Sequence, residues 1–155
     1  FFIDARQKSM IFTMRLKEEP GEGNMNLRAF MIFVTILAVG YGLAFLLIPE
    51  FLINFYGVGA STMPAVVLGF RFFGATLLAV GLIFWFAKDS HDWSALRALL
   101  IGHAVGDIAG ILVSVWATAA GIMNALGWSV VLIYVILLAG CAYFLQLGQQ
   151  RMALT

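Results

Sequence analysis

Four apolar runs, residues 27–48, 66–87, 95–119 and 126–147, leave this chain few ways to fold. Each reaches the roughly 20 residues that a helix needs to cross about 30 Å of hydrocarbon. Lipid offers no water to a bare peptide N–H or C=O, so each run must satisfy its own backbone, and a helix is how an isolated run does so. Composition agrees: 63% of the 155 residues are hydrophobic and 11% are charged, against about 25% charged in a soluble domain. The expected fold is therefore all-α, a polytopic membrane protein with four transmembrane helices in an antiparallel bundle.

Residues 1–26 mix charge freely and close in Pro20-Gly21-Glu22-Gly23-Asn24, a breaker-rich hinge. They read as a cytoplasmic arm, with Met25 as an alternative start that would make residues 1–24 an upstream extension. The transmembrane domain is expected over 27–147 and a cytoplasmic tail over 148–155. Pro49 ends the first span, which is too long and too apolar for the core of a cleaved signal. Between the first two spans, Glu50 to Ala65 carries Phe51, Leu52, Ile53, Phe55 and Tyr56, a composition suited to a short segment lying along the outer membrane interface. Orientation follows from the basic residues. Arg6, Lys8, Arg15, Lys17 and Arg28 precede the first span, Lys88 and Arg97 border the second-to-third loop, and Arg151 follows the fourth. By the positive-inside rule both termini face the cytoplasm.

A net charge of +1 without a basic cluster argues against nucleic acid. One cysteine, Cys141, builds neither a disulfide nor a thiolate metal site within one chain. Metalloprotease, nucleophile-elbow and phosphate-loop motifs are missing. No cofactor is expected. One membrane histidine does not supply both axial ligands of a haem, although a homodimer could bring two copies of His103. The tyrosines and phenylalanines read as packing before they read as a quinone cradle.

Away from the ends of the spans, three residues able to carry charge remain: Arg71, His103 and Asp107. A charge there is costly by about 2.5 kcal/mol or more, so each should face protein and find a partner. Counted from the 88–94 loop, Asp107 is roughly 18 Å deep and Arg71 roughly 24 Å. That difference is within an arginine's reach, and an Arg71–Asp107 pair is the expectation. Gly102, Gly106, Gly110, Ser114 and Thr118 recur every fourth residue along the same helix as His103 and Asp107, and Gly74 lies near Arg71. Small residues at that spacing suit a close helix crossing, within the chain against the second or fourth span, or between two copies. The polar seam then has several readings: an ion pair that fixes register, with His103 satisfied by a carbonyl or hydroxyl; a small polar pocket toward the outer half of the membrane; or a contact with another subunit.

The arrangement resembles the small four-helix bacterial membrane proteins of the DoxX-like group. The resemblance rests on Pro49-Glu50 with Gly57, Arg71-Phe72-Phe73-Gly74 with Gly81, and Asn124-Ala125-Leu126-Gly127-Trp128. It covers about 27–147 and implies a bundle in the bacterial cytoplasmic membrane, with no catalytic residues to carry over. The leading expectation is a non-enzymatic accessory subunit of a membrane complex or a small homo-oligomer, with membrane lipid and other membrane subunits or itself as partners. The alternatives are a binding or transport site for a lipid, quinone or proton-linked solute around Arg71, His103 and Asp107, and, more remotely, an enzyme acting on lipid-soluble substrates with His103 and Asp107 as acid and base.

Overall fold

The computed structural model describes residues 26–59 and 63–152, so most of the expected N-terminal arm lies outside the described residues. Five helices follow in order: α1 (Leu27–Leu47), α2 (Pro49–Phe55), α3 (Pro64–Ala87), α4 (Trp93–Ala119) and α5 (Gly127–Met152). Among the described residues there are no strands. The four longer helices are each long and apolar enough to cross a membrane.

Local chemistry sets the boundaries. Asn26 caps α1 by accepting from the Arg28 N–H at 3.0 Å, and Asp92 caps α4 by accepting from the Ser94 and Ala95 N–H groups, the usual use of short polar side chains at a helix start. Pro49 and Pro64 stand in the first turns of α2 and α3, where a missing N–H costs nothing. The last helix runs to Met152, five residues beyond the expected end at 147. Gln146, Gln149 and Gln150 are adequate helix formers, so loss of apolarity alone does not end a helix.

The helices associate mainly as two antiparallel pairs, α1 with α3 and α4 with α5. In the first, glycine brings the backbones together. A Cβ at Gly74 would stand 2.7 Å from the Gly42 carbonyl oxygen and 2.9 Å from the Leu46 nitrogen, and one at Gly81 would meet Val39 at 2.7 Å. Thr35 adds a cross-helix bond, donating to the Gly81 carbonyl at 3.2 Å as well as to its own Met31 carbonyl at 2.9 Å.

Two apolar clusters join the pairs at opposite ends. At the end carrying the 88–92 loop, Phe30, Met31 and Val34 of α1 meet Phe84, Leu100, Leu137, Cys141 and Phe144. Outside this cluster Asp89 receives Arg28 at 2.8 Å and Lys88 at 3.0 Å. These cations, Lys88 foremost, hold the Asp89 carboxyl below its usual range. At the other end Phe45, Leu52 and Tyr56 form a second cluster with Phe70, Met123 and Val130. Much of the remaining surface is apolar and outward-facing, including Phe72, Phe86, Leu112 and Trp116. A water-soluble monomer does not tolerate so much exposed apolar area, and hydrocarbon is the solvent that suits it.

Candidate functional site

Between the two clusters the helices do not close. A cavity of about 500 Å³ is left, with a lining drawn from all five helices, a volume in the range of small-molecule sites. Its walls are almost wholly apolar: Val34, Ala38, Phe73, Leu77 and Leu137 are representative. The polar exceptions include His103, Asp107 and Ser114 of α4, with Tyr41, Tyr56 and Tyr134.

Asp107 is the most unusual residue in the wall. It is 2% exposed, and its Oδ2 has no hydrogen-bond partner. Its Oδ1 stands 3.8 Å from His103 Nε2, too far for a hydrogen bond. His103 Nε2 is likewise buried without a partner. The imidazole is braced edge-on against Phe84, with ring centroids 4.7 Å apart. Residues four apart share a helix face, so α4 presents both groups side by side.

The stripe of small residues frames this pair unevenly. The ring of Tyr134 lies over Gly110, where a Cβ would come within 2.6 Å of it. Ser114 is buried and its carbonyl accepts from the Thr118 hydroxyl at 2.8 Å, while Thr118 abuts Gly127. This half of the stripe packs on α5, the fourth span. Gly102 and Gly106 behave otherwise: a Cβ at either would meet nothing within 4 Å. They hold no helix of this chain close, so the expected packing of the stripe within the chain is confined to its Gly110–Thr118 half.

The expected Arg71–Asp107 pair is also corrected. Arg71 is exposed, does not line the cavity, and is in none of the ion pairs found among the described residues. At 100° per residue it lies about 140° around α3 from the mean direction of Phe70, Phe73, Leu77 and Val80, which do line the cavity. Gly74 is indeed at a tight crossing, but with α1 and not with α4. Depth and small-residue spacing foretold the burial of Asp107 and Gly74 but not the exposure of Arg71, Gly102 and Gly106, and the small faces of α3 and α4 do not meet each other.

The α2 end is sealed by features that sequence reasoning missed. Tyr56 and Val58 line the cavity from below, and Asn124, in the α4–α5 turn, fastens that segment. Its N–H donates to the Tyr56 carbonyl and its Nδ2 to the Phe55 carbonyl, both at 2.8 Å. Gly57 makes this possible, with φ of +73° and with Asn124 where a Cβ would come within 3.0 Å; only glycine adopts that backbone at no steric cost. Tyr41 and Tyr56 bring their hydroxyls to 3.3 Å. Burial, then the Tyr41 hydroxyl, push the Tyr56 phenol up to about 12, so it is a neutral hydrogen-bonding group at any physiological pH. Both Gly57 and Asn124 stood in the motifs quoted above; that they touch was not legible.

Among the described residues no group of three or more His, Cys, Asp or Glu side chains is placed to hold a metal ion. Comparisons with known protein families, curated proteins and solved structures gave no match.

Proposed function

We propose that this protein is an integral membrane protein that binds a small lipophilic molecule in the cavity between its helices. The supporting observation is the pairing of an apolar cavity of about 500 Å³ with a buried carboxyl whose Oδ2 lacks a partner. An unsatisfied buried polar group costs about 1–3 kcal/mol, more if charged. A chain that keeps one in the wall of a cavity has a use for it. In this reading the four helices form an antiparallel bundle in the bacterial cytoplasmic membrane with both termini inside, as the distribution of basic residues supports and as the resemblance to the DoxX-like group implies.

Gently released protein analysed by native mass spectrometry tests the reading. The wild type should carry a reproducible small-molecule adduct. Ala109→Phe, which adds a ring at an exposed position in the cavity wall, should lose most of it while keeping its helical content and thermal midpoint. An adduct equally abundant in a folded variant would rule the cavity out as its site.

A second reading, as a subunit of a larger complex or a homo-oligomer, is favoured by Gly102. With Gly106 it leaves an exposed strip of α4 without side chains, along which another helix could approach closely. The same spectrum reports on it, since a protein partner or second copy appears at its own mass.

A further inference from the structure

We propose that the ligand of this cavity is a membrane-soluble molecule bearing a hydroxyl group, which reaches the site sideways from lipid, between α3 and α4, and sets its hydroxyl between Asp107 and His103. The proposal rests on the reading that the cavity binds a small molecule.

The route follows from where the walls are closed. One end is filled by Phe30, Phe84, Leu100 and Phe144, and the other is covered by the Tyr56–Val58 segment that Asn124 fastens. On the α1 and α5 sides the lining residues Val34, Ala38 and Leu137 are buried. On α3 and α4 several are not. Phe73 is 41% exposed and Val113 62% exposed, and Gly106 and Ala109 are exposed as well, yet all four line the cavity. A residue that belongs both to a cavity wall and to the outer surface marks a mouth. Helices joined by a short loop usually pack along their length. Among the described residues, α3 and α4 are instead not a closely packed pair; toward that loop they share the cluster of Phe84, Leu96 and Leu100 and the Phe84–His103 ring contact, and beyond His103 Gly106 supplies no side chain to close the gap. The mouth lies within the apolar spans, so what passes through it is dissolved in hydrocarbon.

The headgroup follows from the two bare atoms. Asp107 Oδ2 and His103 Nε2 are both unpartnered, and they belong to neighbouring side chains of one wall. Only one proton distribution need hold at a time: either the carboxyl keeps a proton and the imidazole nitrogen accepts, or the carboxylate accepts and the imidazole donates. A hydroxyl has one donor and two lone pairs, so it completes both arrangements. A carbonyl accepts only, and in each of these two arrangements it leaves one of the two atoms bare. A charged amine or carboxylate would have to cross hydrocarbon to reach the mouth, at high cost.

The test uses the full chain in lipid nanodiscs and tritiated 1-dodecanol as probe, with empty discs as baseline. Unlabelled 1-dodecanol should displace the probe at concentrations at least tenfold lower than dodecane, dodecylamine or dodecanoic acid. Asp107→Leu should weaken probe binding at least tenfold and remove that preference, while His103→Leu should do the same if Asp107→Leu folds poorly. Gly106→Phe, with a ring in the mouth, should slow association at least tenfold. Equal displacement by dodecane would overturn the hydroxyl assignment and leave the binding reading standing. Unchanged association in Gly106→Phe would overturn the lateral route. Absence of saturable binding by any of the four compounds would overturn the proposal, and if the native adduct were also absent, the binding reading would fall with it.

Discussion

Glycine does opposite things in the two helix pairs. Between α1 and α3, Gly42, Gly74 and Gly81 are buried and let main chains touch, with no room for a Cβ at Gly74. On α4, Gly102 and Gly106 are exposed and touch nothing. The first set removes side chains so that a partner can come close; the second leaves space that no described helix fills. In a membrane, where apolar side chains gain little from leaving lipid for a protein surface, close packing is a main source of helix association. The α1–α3 seam therefore holds the structure together, and the α3–α4 gap is where the structure can afford to be open.

The largest effect expected from this contrast is at Gly74. Gly74→Leu forces a side chain against the main chain of α1 and should destabilise by about 2–3 kcal/mol, in the upper range for overpacking; reversible unfolding in mixed micelles measures it. A loss below about 0.5 kcal/mol would mean that the seam is not tight. Opposite in sign and smaller, Gly102→Ala should stabilise by about 0.5–1 kcal/mol, because it removes a helix-interior glycine at no steric cost. A destabilised Gly102→Ala protein would reveal that something packs there after all, and would favour the partner reading.

The contrast also marks how far the sequence could be read. The four spans were legible because length and apolarity are local properties of a run. So was the burial of Asp107, since a carboxylate at that depth has few tolerable surroundings. The partner was not legible. Helical spacing assigned Arg71 and Gly74 to neighbouring directions, correctly, but spacing within one helix does not say which other helix a face meets. Gly74 turned out to face α1, and that rotation carries Arg71 away from the cavity. For the same reason Gly102 and Gly110 looked equivalent as members of one repeat, although one faces open space and the other the ring of Tyr134. The Asn124 latch depends on a contact across 69 residues, between two turns, and no periodicity encodes it.

A smaller effect should appear at the loop end of the first pair, where Arg28 of α1 meets Asp89 beyond α3. The Asp89 carboxyl is held below its usual value by Lys88 and Arg28. Its contribution to stability is therefore present above the unfolded carboxylate value of about 3.9 and is lost as pH falls through the lower folded value. The pair is more than half exposed, so the gain is slight. Thermal midpoints of the wild type and Asp89→Asn should differ slightly at neutral pH and converge as acid protonates the folded-state carboxyl. A difference that does not shrink as pH is lowered through the carboxylate range would show that the carboxylate charge is not its source.

In the proposed function, α3 and α4 stand apart around a site filled from the bilayer. A crystal structure grown from a lipidic mesophase tests it most directly, because the protein then chooses its own contents. Continuous non-protein density should run from the membrane between Phe73 and Val113 to Asp107, with a polar atom within hydrogen-bond distance of Oδ2. A map in which α3 lies against Gly102 and Gly106, closing the gap with no density beside Asp107, would contradict it.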